Sequence, residues 1–99
     1  MYAINQTRTF KRWHDGLPDL AAMLRIDARL RRMELGHFGD VKHVGEGVRE
    51  ARIDCGPGYR LYYIHRGNQL IVLLSGGDKS SQSQDIRRAI QLAKAWDQN

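Results

Sequence analysis

"ARIDCGPGYRLYYIHRGNQLIVLLSGGDKS", residues 51–80, decides the fold. It divides into three extended runs at two turn signals, Gly56-Pro57-Gly58 and Gly67-Asn68. The first run starts upstream at Val48. Strand side chains alternate, so Ala51 and Ile53 point one way while Glu50, Arg52 and Asp54 point the other. In the second run Leu61 and Tyr63 oppose Arg60, Tyr62 and Ile64. The third, "LIVLLS", is apolar on both faces and reads as the central, most buried strand. One face of the sheet needs apolar residues. The other is left open, with Glu50, Arg52, Arg60 and Tyr62 together on it.

The flanks supply helices. "MYAIN" alternates weakly and suits an edge strand. Thr7 can cap a short helix over "RTFKRWHD", which Gly16 ends. Pro18 opens a second helix to about Leu35, since a first-turn proline lacks only an N–H that would be unpaired anyway. Its apolar stripe is Leu20, Met23, Ile26, Leu30 and Met33; Arg25, Arg29 and Arg32 line the opposite side as a solvated face. Gly36 stops it. Residues 36–47, with four glycines, read as a loop or short irregular strand. After Lys79, "SSQSQD" places Ser81 and Gln84 at capping-box spacing and starts a last helix, with Ile86, Ile90, Ala93 and Trp96 facing inward. Helices segregate from a strand meander. The expected class is therefore α+β: an N-terminal helix hairpin on a twisted antiparallel sheet of three to five strands, then a C-terminal helix, as one domain over residues 1–99.

Bulk properties narrow the function. At 99 residues the chain buries roughly two-thirds of its unfolded surface, which is enough for one core and no second domain. No run of about 18 apolar residues exists, so no membrane span or membrane partner is expected. "MYAINQTRTFKRW" lacks an apolar signal core, which points to the cytoplasm. A lone Cys55 and four histidines without ligand spacing suggest neither a disulfide nor a metal, and no cofactor motif is present. The net charge of +5 favours polyanions or an acidic protein partner.

On the open face, Arg52 and Arg60 can flank one point, because direct neighbours in an antiparallel pair lie about 5 Å apart. Two guanidiniums suit a phosphate. Lys79, just past the third strand, can lean over the same spot, with Gly76 and Gly77 letting the backbone turn. Arg52 paired only with Glu50 or Asp54 on an ordinary exposed strand is the plainer alternative.

The blocks "GVREARI", "GPGYR" and "GGDKSSQSQDI", in that order and spacing, resemble the RelE/ParE toxin superfamily. The nearest likeness is to its short HigB-like branch, the addiction-module killer proteins. The likeness runs from "FKRW" to "AIQLAKAW". It implies a type II toxin–antitoxin system whose toxin is an mRNA interferase, a ribosome-dependent endoribonuclease that blocks translation. It also implies a cognate antitoxin of helix-turn-helix type. Carried onto this chain, the basic residues that bind and polarise the scissile phosphate are Arg52, Arg60 and Lys79. Glu50 stands where some relatives have lysine, and near Asp85 there is no counterpart of the C-terminal tyrosine or histidine of some members.

The reaction implied is metal-free attack of the RNA 2′-OH on its neighbouring phosphate. Arginine, with a pKa above about 12, cannot be the base. Glu50 or Lys79 is the candidate. Tyr62 would stack on an unpaired base, with Lys42 and Arg66 as RNA-backbone contacts. A ParE-like gyrase inhibitor without nuclease chemistry, or a non-catalytic RNA-binding regulatory module, are the alternatives.

Overall fold

The computed structural model describes residues 1–97. Its elements are β1 (Ala3–Gln6), α1 (Arg8–Asp15), α2 (Leu20–Glu34), β2 (Val41–Gly45), β3 (Val48–Ile53), β4 (Tyr59–Arg66), β5 (Leu70–Gly77), a 3₁₀ turn (Lys79–Ser81) and α3 (Gln82–Asp97). The class is α+β, with one five-stranded sheet in the order β1-β5-β4-β3-β2.

That sheet is mixed, which corrects the antiparallel expectation. β2 to β5 form an antiparallel meander, but β1 runs parallel to β5. The reason lies in Thr7. Its backbone N–H donates to Leu73 O at 2.9 Å and its hydroxyl to Leu74 O at 2.6 Å. The same Oγ1 accepts the Phe10 N–H at 3.1 Å as the cap of α1. One side chain therefore fixes both the end of β1 and the start of α1 against the C-terminal half of β5, and the strand must run β5's way to arrive there. The middle strand of the five is β4; β5, flanked by β1 and β4, is interior and the most buried, as expected, but stands one place off centre.

α2 begins later than its proline suggests. Asp19 is the cap, accepting the Ala21 N–H at 2.9 Å, so Pro18 lies outside the helix. At the other end Gly36 takes φ +87°; its N–H donates to Met33 O and the His37 N–H to Arg32 O, a Schellman close.

Both faces of the sheet are covered. Ala51, Ile53, Leu61, Tyr63, Ile71 and Leu73 pack against Phe10 of α1 and Ala22, Ile26 and Met33 of α2. Val48, Tyr62, Ile64, Val72 and Leu74 pack against Ala89 and Ala93 of α3. Each fully buried aliphatic or aromatic side chain here contributes about 1.5–3 kcal/mol. Double coverage explains why "LIVLLS" is apolar throughout: alternate residues serve different cores. It also corrects the open-face expectation, because α3 closes much of the face that carries Glu50 and Tyr62. Leu20 is 67% exposed and so drops out of the α2 stripe. No helix among the described residues is long and apolar enough to cross a membrane.

Candidate functional site

The strand registers lay two rows of residues across the α3 face. Arg52 pairs with Arg60, and Arg60 with Gly77. One step along, Lys42 pairs with Glu50, Glu50 with Tyr62, and Tyr62 with Ser75. Like charges directly opposite one another are unfavourable, so the arginine pair needs a counter-charge. Glu50 provides it. Its Oε1 accepts from Arg52 Nε at 3.3 Å, and Oε2 lies 3.6 Å from Arg60 Nε. Oε2 also accepts the Tyr62 hydroxyl at 3.1 Å and Gln82 Nε2 at 2.9 Å.

A fully buried carboxylate is costly unless it is paired and hydrogen-bonded, and this one is both. Burial, reinforced by the Glu50 charge and the bond to it, pushes the Tyr62 hydroxyl well above its ordinary pKa. Tyr62 therefore stays protonated and keeps donating.

The two arginines differ in reach. The Arg60 side chain is 11% exposed; that of Arg52 is 40% exposed. Arg60 Nη1 donates to Gly58 O at 2.8 Å, which fixes it as a post at the Gly56–Gly58 turn. Arg52 is braced from behind: Arg29 Nη2 donates to Arg52 O at 2.8 Å, and Arg29 Nη1 to Phe38 O at 3.3 Å. A cleft of about 300 Å³ opens at this end of the sheet, lined by Arg29, Arg52, Arg60, Asp40 and Asp54. Lys79 borders the same turn. Its N–H donates to Pro57 O at 3.4 Å, and a Cβ placed on Gly58 would lie 3.6 Å from Lys79 Cβ and 3.3 Å from Arg60 Nη1.

Several expectations are corrected by this geometry. Glu50 shares the arginines' face but is sealed and saturated, so it positions Arg52 and Arg60 and has no path to a substrate proton. Tyr62 is fully buried and cannot stack on a base. Arg66 is six residues from Arg60, about 20 Å along β4, and its guanidinium is paired with Asp97. It stands outside the site. Lys42 is exposed on the edge strand β2, directly opposite Glu50, and remains at the rim. The α2 arginines are not simply solvated, since Arg29 holds β3 and Arg25 Nη1 reaches Asp54 O at 3.4 Å. Gln82 and Arg29 were missed; the only signal for Arg29 was its place in the basic stripe.

The glycine pair does something other than turn. Gly76 and Gly77 lie inside β5 and neither takes a left-handed φ. A Cβ on Gly76 would sit 2.2 Å from the Trp13 ring, and one on Gly77 would sit 1.9 Å from Asp85 Oδ2. The pair lets α1 and α3 approach the strand from its two sides.

Fold and site together define a small α+β protein whose sheet carries an arginine pair built on a buried glutamate. The chain is 46% identical over 91 residues to a protein of Haemophilus influenzae, covering 92% of each, and it belongs to that protein's family. The relative is described only as an uncharacterized protein. No protein-family model matches the chain.

Proposed function

We propose that the protein is the toxin of a type II toxin–antitoxin pair, a RelE/ParE-like endoribonuclease that cuts messenger RNA on the ribosome. The observation that carries the reading is the direct pairing of Arg52 with Arg60 on one face, bridged by Glu50 and bordered by Lys79. The likeness of "GVREARI", "GPGYR" and "GGDKSSQSQDI" to that superfamily supports it.

In this reading the RNA phosphate sits against Arg52, with Arg60 fixed behind it. The 2′-oxygen bonds to phosphorus and the P–O5′ bond breaks. The 2′ proton leaves, and the departing 5′ oxygen gains one. The products are a 2′,3′-cyclic phosphate and a 5′-hydroxyl end. Charge builds on the phosphoryl oxygens, where one preplaced donor is worth about 3 kcal/mol. With Glu50 saturated, the exposed Lys79 is the side chain of the set that is free to move a proton. The ribosome supplies alignment, which replaces a large entropic share of the barrier.

The partner is a cognate antitoxin. Leu20, Leu24 and Leu35 are 67%, 57% and 61% exposed along α2 beside Arg25, Arg31 and Arg32. An acidic amphipathic helix of a helix-turn-helix antitoxin suits that surface.

The test compares purified protein on translating ribosomes and on free messenger. Cutting on ribosomes, weak or absent cutting of free RNA, and loss in Arg52→Ala are expected. Equal cutting of both RNAs, abolished by a chelator, overturns the reading. The burial of Arg60 favours a second reading, a ParE-like gyrase inhibitor in which the arginines only support the fold. Full toxicity of a folded Arg52→Ala variant would select it.

A further inference from the structure

A second cleft, of about 370 Å³, lies between α1 and α3, with the C-terminal end of β5 as its floor. We propose that it binds an unpaired nucleobase beside the phosphate held at Arg52, and that it favours bases carrying an exocyclic amino group. The proposal rests on the RNA-cleaving reading and adds to it the feature that selects the cleavage site.

Four observations carry it. The first is continuity: Gly77 in the floor is the register partner of Arg60, so the cleft begins one strand, about 5 Å, from Arg60 and two strands, about 10 Å, from Arg52. The second is a fixed aromatic wall. Trp13 packs edge-on to Tyr59 at 6.2 Å and tilted on Phe10 at 5.7 Å, while Gly76 admits its ring against the strand. A held indole is a stacking platform for any base.

The third is an unused set of hydrogen-bonding groups. Ser81 donates to Asp85 Oδ2 at 2.6 Å, but Oδ1 of Asp85 accepts no bond among the described residues. Ser75 is 3% exposed, lines the cleft, and its hydroxyl has no partner among the described residues. The fourth is charge: Arg12 on α1 and Arg88 on α3 stand exposed on opposite walls, and neither side chain is paired among the described residues. They can take the flanking phosphates.

The preference follows from Asp85. An ionised carboxylate only accepts. It welcomes the amino groups of cytosine, adenine or guanine and is repelled by the two carbonyls that flank the single N–H of uracil.

Two arms test this. In the first, adenosine, cytidine and uridine monophosphates are titrated against the protein while tryptophan emission is followed, with Trp13→Phe reporting the background of Trp96. Wild type should bind the amino-bearing nucleotides at least fivefold tighter than the uridine nucleotide. Asp85→Asn, which turns an acceptor into a donor and keeps the Ser81 bond, should abolish or invert that order. Equal affinities in wild type, or an unchanged order in a folded Asp85→Asn protein, overturn the proposal.

In the second arm, cleavage sites on translated messenger are mapped for both proteins. Amino-bearing bases should dominate beside wild-type cuts, with the bias shifting toward uracil in Asp85→Asn. An identical bias in the two overturns the proposal. Nucleotide discrimination in the first arm with no cleavage by wild type would leave the cleft standing and defeat only the ribonuclease reading.

Discussion

Glu50 is the residue on which the arginine site turns. It is fully buried and carries bonds or ion pairs to Arg52, Arg60, Tyr62 and Gln82. Truncating it leaves Arg60 nearly buried without its counter-charge and the Tyr62 hydroxyl without an acceptor. Glu50→Ala is therefore expected to cost about 3–5 kcal/mol in urea denaturation. Tyr62→Phe removes a single bond to a charged group, at about 1.5–3 kcal/mol. A Glu50→Ala cost no larger than that of Tyr62→Phe would contradict the network. That Arg52 and Arg60 share a face was legible in the sequence, because a period of two sets both opposite the apolar positions. Their direct pairing follows from the five-residue connection 54–58, since a turn of Gly56–Gly58 alone would have set Arg52 opposite Tyr62. The burial of Glu50 was not legible. It depends on where α3 lies, and no pattern within β3 records that.

His65 gives a residue-scale pH effect. Burial lowers its pKa, with the nearby Arg49 charge adding to the effect. The unfolded chain then takes the proton first, near its ordinary value of about 6.5, so this stability is present above that pH and is lost as pH falls through it. Thermal melts of wild type should decline from about pH 6.5 downward. Those of His65→Phe, which suits the surrounding Tyr2, Phe38 and Tyr63 rings, should stay flat until the carboxylates titrate. Parallel profiles for the two proteins would rule the assignment out.

At the scale of elements, β5 shows how two small residues organise two helices. Gly76→Ala must displace the indole of Trp13, a ring held by Phe10 and Tyr59. Gly77→Ala meets the end of the Asp85 side chain, which can rotate away. Overpacking of this kind costs about 1–3 kcal/mol, and Gly76→Ala should fall at the upper end and Gly77→Ala at the lower. Equal midpoints in denaturation would show that the approach of Trp13 is not tight. The glycine pair read as turn chemistry in the sequence because its neighbours belong to distant segments. α1 was legible to the residue, since its cap and stop are local. The start of α2 moved past Pro18 because Asp19 offers a carboxylate where proline offers only a permitted φ. The direction of β1 depends on a bond from Thr7 to β5, and sequence spacing does not encode it.

The whole molecule is cationic, +5 overall, with helices on both faces of its sheet and its arginine site and second cleft at one end. In the proposed reading that charge speeds encounter with RNA, less so as salt rises, but it does not create a catalyst. In the same reading, cleavage requires that Arg52, with Arg60 behind it and Lys79 beside it, meet a phosphate that the ribosome has aligned. The most direct measurement is a transcript-wide map of RNA 5′ ends minutes after induction, comparing wild type with Arg52→Ala at matched protein levels. The account predicts new 5′-hydroxyl ends inside translated regions for wild type and at least a tenfold loss of them in the variant. Growth arrest without new ends, or an unchanged map in Arg52→Ala, would contradict it.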